Sequence, residues 1–259
     1  MTLDGAEGYE IHSGIASQGF VWSAGADWLA ATLAEGNTLH EWAAGHARVV
    51  SFTGRGAVHA VPAPTCGPDG RDHWAVRHYH RGGAVARYLD DRYLVAGDSR
   101  PVRELKASVE ARKRGVPTPA VVAGATYSAG LFYRADLATE LVPDAVSLSE
   151  LLFGNSDSQV DVEKALHVAG KVVRRLEETR VLHADVNAGN ILVRNHLGET
   201  EAHVIDLDRC NVLTREAPGP RHFMRERLER SLRRLSRRHA VELGDGCWRA
   251  LRDGFEAGS

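Results

Sequence analysis

Residues 181–193 read Val181-Leu182-His183-Ala184-Asp185-Val186-Asn187-Ala188-Gly189-Asn190-Ile191-Leu192-Val193. After a short polar break the chain continues Ala202-His203-Val204-Ile205-Asp206-Leu207-Asp208. The triplets Ile191-Leu192-Val193 and His203-Val204-Ile205 have the composition of two paired strands, and the polar run between them that of a turn. Such a hairpin holds Asn190, at the head of one strand, in register with Asp206, at the tail of the other. Both carry hard oxygen donors of the kind magnesium prefers. Asp185 stands ahead of Asn190, with four residues between them, and offers a carboxylate able to accept the proton of an attacking hydroxyl. Either half alone, a His-x-Asp or an aspartate after an apolar run, is common by chance. The two together, in this order, are much rarer.

This order resembles the grammar of protein-kinase-like phosphotransferases, which use H-R-D-x-x-x-x-N for the catalytic loop and D-F-G for the metal-binding loop. On that resemblance Asp185 is the expected base, and Asn190 and Asp206 the expected magnesium ligands. Ala184 replaces the arginine that meets activation-loop phosphate in regulated kinases. No Ala-Pro-Glu string follows Asp206. Both departures point to a non-protein acceptor.

Bulk properties leave room for this reading. The chain has 259 residues, enough for one two-lobed domain or two small ones. A hydrophobic content of 43% suits a protein with a real core. The net charge of -2 carries no nucleic-acid signature, so nucleic acid is not an expected partner. Cys66, Cys210 and Cys247 fit neither a zinc spacing nor a disulfide framework, which points to a reducing compartment. No Lys or Arg precedes Arg48, so a secretory n-region is missing, and no uncharged apolar run reaches transmembrane length. Lysine occurs only at Lys106, Lys113, Lys164 and Lys171, so arginine supplies nearly all of the 32 cationic residues.

Residues 1 to 24 are Gly-rich and weakly patterned, and read as loop. Asp27 is a candidate cap for a helix running to about His46, interrupted at Gly36-Asn37. Val49 to Val61 reads as two strands joined by a tight turn. Its Gly54 and Gly56 fit either a hairpin turn or a G-x-G loop whose amides approach phosphates. Trp74 to Tyr79 reads as the next strand. Kinase-like folds carry a phosphate-holding lysine there; here Arg77 occupies the place, and a guanidinium can hold phosphate oxygens bidentately. The alternative is that Arg77 is a surface residue and Arg81 binds phosphate. Val102 to Arg114 reads as a helix with Val102, Leu105 and Val109 inward. Its Glu104 is either the inward partner of the strand cation or an exposed carboxylate among local bases. Val121-Val122, Gly130 to Tyr133 and Asp136 to Val142 are expected to complete a five-stranded sheet. Glu140-Leu141-Val142-Pro143 then resembles an interlobe link. There the backbone of Glu140 and Val142 would meet an adenine edge, although a plain strand end before Pro143 looks the same.

Ser147-Leu148-Ser149-Glu150 is a capping box. Asp161 to Arg180 is the clearest helix, with Val162, Ala165, Leu166, Ala169, Val173 and Leu176 on one stripe. Arg221 to Arg238 is basic and amphipathic. Met224, Leu228, Leu232 and Leu235 share a face, and Arg221, Arg225, Arg227, Arg230, Arg233, Arg234, Arg237 and Arg238 crowd the others. It reads as a lobe helix with a solvated basic face, as a surface for anionic lipid or a lipid-linked substrate, or as both.

Several strings resemble the lipopolysaccharide kinase family, to which the bacterial 3-deoxy-D-manno-octulosonic acid (Kdo) kinases belong. They are Arg77-His78-Tyr79-His80-Arg81-Gly82-Gly83, Asp91-Arg92-Tyr93-Leu94 with Gly97, Arg100 and Glu104, Gly115-Val116-Pro117-Thr118-Pro119, His183-Ala184-Asp185-Val186-Asn187, Ile205-Asp206-Leu207-Asp208-Arg209 and Arg230-Ser231-Leu232. The match runs from about Gly54 to Trp248, with Leu207 where the family usually has Phe. The resemblance implies an α+β, protein-kinase-like two-lobed fold. Residues 1–142 would be a lobe of antiparallel sheet plus helix with an N-terminal extension, residues 143–259 a mostly helical lobe, and ATP would lie between them. It also implies ATP- and Mg2+-dependent phosphorylation of the 4-hydroxyl of Kdo on a lipid A precursor, by a cytoplasmic protein peripheral on the inner membrane. Gly54, Gly56, Arg77, Glu104, Glu140 and Val142 would hold the nucleotide. His78, Arg81 and Arg209 are candidates for recognising phosphate or an acceptor carboxylate. The rivals are a kinase of another small molecule or of a protein on the same fold, and a non-catalytic nucleotide-binding scaffold.

Overall fold

Strand β2 (Ser17–Trp22) shows how the first part of the chain is held. Its adjacent residues Phe20 and Val21 are both fully buried, and since successive strand residues face opposite sides, both faces of the sheet are covered. The computed structural model describes residues 3, 5–52, 56–80, 91–213 and 223–257. The chain divides into two compact units, Met1–Val109 with Ala120–Leu141, and Glu110–Pro119 with Val142–Ser259.

In the first unit, β1 (Tyr9–Ser13), β2, β3 (Val50–Phe52), β4 (Val58–Pro62), β5 (His73–His78), β7 (Val121–Ala129) and β8 (Phe132–Glu140) form one antiparallel sheet in the order β1-β2-β7-β8-β5-β4-β3. The short β6 (Tyr93–Leu94) pairs with the start of β8. The sheet is larger than the five strands expected. Residues 9–22, read as loop, form a hairpin whose second strand pairs with β7, Phe20 opposite Gly124. Residues 132–140, read as two strands, form one.

One face of the sheet packs on α1 (Ala26–Ala34) and α2 (Leu39–Ala44) through Leu29, Leu33, Leu39, Trp74 and Val76. Trp28 lies edge-on to both Trp42 and Trp74, at 4.8 and 5.0 Å between ring centres. The cap of α1 is Gly25 rather than Asp27, which instead places its carboxylate in the first turn, where it complements the helix dipole. Thr38 begins α2 with a complete capping box to Glu41. The other face packs on α3 (Arg100–Lys113) through Phe20, Tyr79, Val102, Leu105 and Leu137. Pro101 sits in the first turn of α3, where its missing N–H costs nothing.

The second unit is built around α5 (Val162–Glu178). Asp161 caps it, accepting the Lys164 N–H at 2.8 Å, and Ala165, Leu166, Ala169, Val173 and Leu176 are buried along the expected stripe. Gly170 and Gly254 let α5 and α7 (Asp245–Glu256) cross closely: a Cβ on Gly254 would lie 2.1 Å from the His167 carbonyl oxygen. β11 (Ile191–His196) and β12 (Glu199–Val204) form the expected hairpin, Ile191 opposite Val204, and β9 (Val146–Ser147) adds to it. Ser147 caps α4 (Leu148–Phe153), accepting the Glu150 N–H. β10 (Val181–His183) pairs with β13 (Cys210–Val212), His183 opposite Cys210. Residues 110–119 belong to this unit: Arg114 donates to the carbonyls of Thr179 and Leu213, and Val204 N–H donates to Pro117 C=O at 2.9 Å.

Candidate active site

In the first unit, β5 and α3 bring Arg77 and Glu104 together. Arg77 Nη2 lies 2.8 and 2.7 Å from the two oxygens of Glu104. The Glu104 carboxylate is buried and also accepts the Tyr79 hydroxyl at 2.6 Å. The Tyr79 ring in turn has the guanidinium of Arg77 at 4.5 Å and that of Arg100 at 4.9 Å. Glu104 is thus an inward acid paired with the strand cation, and not an exposed helix carboxylate. Tyr79 and Arg100 carried no role in the sequence reading beyond their place in the motif.

His78 is engaged in a different way. Nδ1 faces Asp136 Oδ1 at 2.6 Å and Nε2 faces Asp91 Oδ2 at 3.1 Å. Burial works against the charged ring, but the hydrogen bonds and charges of Asp136 and Asp91 outweigh it and hold its pKa above the ordinary histidine range. Asp136 is fully buried and also accepts the Tyr127 hydroxyl and the His40 N–H, each at 2.9 Å. Both ring nitrogens of His78 are therefore spent on carboxylates. Glu140 sits at the end of β8. Its N–H donates to Ala120 C=O, and its carboxylate accepts the N–H of Asp69 and of Arg71. Burial, with the nearby Asp69, raises its pKa. Gly56 packs against His80: a Cβ there would lie 2.3 Å from the ring. Gly54 and Arg81 lie outside the described residues.

In the second unit, the loop between β10 and β11 carries the expected base. Its geometry is set by three internal bonds. Asn187 Oδ1 accepts the Gly189 N–H at 2.9 Å, and the side-chain amides of Asn187 and Asn190 donate to Asp185 C=O at 2.8 and 3.0 Å. His183, fully buried, ties this loop to the next. The Asp185 N–H donates to its Nδ1, so the proton sits on Nε2, which donates to Ile205 C=O at 3.2 Å. Burial depresses the His183 pKa, in keeping with that neutral form. The Ile205 N–H returns to Asn190 C=O at 3.0 Å. Asn190 and the residue before Asp206 are thus directly bonded.

Asp206 itself is left-handed, φ 65 and ψ 56, a conformation aspartate tolerates better than most residues. It ends the strand abruptly and starts a 3-10 turn, Leu207–Arg209, with Leu207 and Asp208 buried and Arg209 exposed. Among the described residues no group of three or more His, Cys, Asp or Glu side chains forms a metal cage. Asn190 and Asp206 instead fit a cation held by few protein oxygens: the Asn190 amide nitrogen is committed to Asp185 C=O, which leaves its carbonyl oxygen for a ligand. A magnesium ion bound largely by phosphate oxygens and water needs no more from the protein.

Helix α6 (Phe223–His239) props the loop from behind. The His183 N–H points to Met224 Sδ at 3.3 Å, Arg227 Nη2 donates to Asp185 Oδ1 at 2.9 Å, and the Ala188 N–H donates to Ser231 Oγ at 3.3 Å. The three helix residues lie on one face, at i, i+3 and i+7. Sequence reasoning placed Arg227 only among the basic surface residues. Nothing local distinguishes it from its neighbours, because its contact is tertiary.

The chain matches the lipopolysaccharide kinase (Kdo/WaaP) family over residues 40–251. It is similar to the 3-deoxy-D-manno-octulosonic acid kinase of Mannheimia succiniciproducens, 30% identical over 188 residues, 70% of this chain and 75% of that one. The kinase of the same name from Vibrio vulnificus is 29% identical over 218 residues, 83% of this chain and 86% of that one. A solved structure titled "WaaP in complex with acyl carrier protein" aligns over 86% of this chain and 84% of that one, with TM-score 0.47 and 17% identity. The assignment does not rest on that structure. A sheet unit with an Arg–Glu pair, a unit carrying the His-x-Asp loop and the Asn–Asp hairpin, and the family match over most of its length agree: this chain belongs to the lipopolysaccharide kinase (Kdo/WaaP) family.

Proposed function

We propose that this chain transfers the γ-phosphoryl group of ATP to a hydroxyl of Kdo, the 4-hydroxyl, on a lipid A precursor. The observation that carries this reading is the bonded set in the second unit, with Asp185 fixed by its own loop and Asn190 bonded to the residue before Asp206, in a member of a lipopolysaccharide kinase family. Relatives named for Kdo phosphorylation supply the acceptor.

In this reading Asp185 accepts the acceptor hydroxyl proton as its oxygen bonds to the γ-phosphorus, and the bond to the β,γ-bridging oxygen breaks, releasing ADP. Asn190 Oδ1 and the Asp206 carboxylate would hold magnesium, which screens the phosphate charge when bound. Arg77, aimed by Glu104 and Tyr79, would take the place of the strand lysine on the donor phosphates, with Gly54 and Gly56 covering them. Val142 would meet the adenine; its N–H and C=O have no partner among the described residues. Arg230, Arg234, Arg237 and Arg238, exposed on α6, would meet an anionic membrane surface on the cytoplasmic side. Among the described residues no helix is long and apolar enough to cross a membrane.

Labelled ATP, magnesium and a Kdo-bearing lipid A precursor test the reading. Wild type should label the lipid, and Asp185→Ala should abolish transfer with an unchanged melting curve. Equal inactivity of both proteins, or label on protein instead of lipid, would refute it.

A further inference from the structure

Arg227 bears on Asp185 in a way that structural support alone does not explain. The two side chains remain 33% and 37% exposed, and an ion pair so open to water adds little to stability. Nor does Asp185 satisfy the guanidinium. A guanidinium carries five N–H donors in a rigid fork. Here Nη2 meets Asp185, while Nε, though buried, has no partner among the described residues, and no other acceptor for the group is found there. The Phe223 ring, 5.5 Å from the guanidinium carbon, gives it one apolar wall. The result is a cation with unused donors, held against the residue that has to meet the acceptor hydroxyl.

Of the other candidates for an acceptor anion, Arg81 lies outside the described residues and the rest are differently placed. Arg77 is engaged by Glu104. His78 has a carboxylate on each ring nitrogen. Arg209 is exposed at the end of the 3-10 turn. Resting on the function proposed above, we infer that Arg227 binds the carboxylate of the acceptor sugar and thereby selects a sugar acid over a neutral sugar.

The hydroxyl to be phosphorylated must come within hydrogen-bond reach of Asp185. An acid group on the same ring then lies about one sugar's width away, a span a guanidinium held 2.9 Å from Asp185 can bridge. An ionised carboxylate has about four lone-pair positions, so the one Asp185 gives to Arg227 leaves others for the hydroxyl. The same contact explains why an arginine stands at this position of α6 while the adjacent contacts, Met224 and Ser231, touch only backbone amides.

The test compares a Kdo-bearing lipid A precursor with the same lipid whose Kdo carboxyl has been converted to the carboxamide, by kcat/KM at saturating ATP. Wild type should prefer the acid by roughly tenfold or more, the effect of one charge-assisted hydrogen bond. In Arg227→Ala the preference should fall toward one, chiefly through KM for the acid, with KM for ATP unchanged. Arg227→Lys should keep part of the preference, and it keeps the test open if the alanine variant does not fold. If Arg227→Ala slows both acceptors alike and retains the preference, Arg227 only supports the loop and the inference is wrong. Wild type that uses both acceptors equally removes this inference alone; wild type that uses neither removes the proposed function and this inference with it.

Discussion

Arg77 reaches both oxygens of Glu104 through a single nitrogen, Nη2, at 2.8 and 2.7 Å. The Tyr79 hydroxyl on the same carboxylate holds the acid from a second direction. Arg77→Ala should therefore raise KM for ATP about tenfold or more, and Arg77→Lys should recover part of it, since an ammonium can pair with Glu104 but cannot also fork onto phosphate. Glu104→Ala should cost about 1–3 kcal/mol in urea unfolding, because it removes a buried carboxylate that accepts from both Arg77 and the Tyr79 hydroxyl. An unchanged KM in Arg77→Ala would show that the donor phosphates lie elsewhere.

Two histidines, His183 buried and His78 partly so, should give the apoprotein opposite pH sensitivities. His183 is held neutral, so its contribution is complete above the ordinary 6.5 and drains away as pH falls toward its lowered folded value. His78 favours its charged form, so its contribution is complete below 6.5 and is lost as pH rises through its raised folded value. Urea midpoints between pH 5 and 8 should flatten on the acid side in His183→Gln and on the alkaline side in His78→Gln. Identical profiles for wild type and both variants would contradict these assignments.

Asp206 combines a ligand role with a left-handed backbone, and substitutions can separate the two. Asn tolerates φ near +60° at least as well as Asp, so Asp206→Asn should keep stability within about 0.5 kcal/mol while losing most turnover at low magnesium. Asp206→Val should in addition cost about 1–2 kcal/mol, since a β-branched residue resists that conformation. Thermal melts and magnesium titrations of the two variants supply the comparison. A stable, fully active Asp206→Asn would remove the metal role.

Gly254→Ala should destabilise by about 1–3 kcal/mol, because the new methyl group meets the His167 carbonyl rather than a movable side chain. The close contacts of Gly254 are with His167 and Gly170 and involve no residue of the base loop, so kcat at 20 °C should fall much less than stability does. Equal loss of both would mean that the α5–α7 crossing and the loop move as one body.

How far the sequence could be read followed the range of the interactions. The α5 stripe and the Ile191–Val204 hairpin depend on neighbours a few residues apart, and both are where the pattern put them. The β1–β2 hairpin escaped because Phe20 and Val21 are both buried, which erases the in–out alternation of a half-exposed strand, and Gly19 weakens the signal further. Its stabilising partner, β7, lies more than a hundred residues on. The pairing of Arg77 with Glu104 was legible only through resemblance, and the approach of Arg227 to Asp185 not at all: one arginine of a basic helix looks like another until the helix is docked.

The spacing of Met224, Arg227 and Ser231 has one more consequence. An inserted or deleted residue between them turns everything beyond it by about 100°, so at most one or two of the three contacts could survive. Helix α6 can lengthen or shorten beyond Ser231 without disturbing these contacts, but between Met224 and Ser231 it works as a gauge of fixed pitch. Over those two turns, drift in evolution is confined to exchanges of side chain and closed to changes of length.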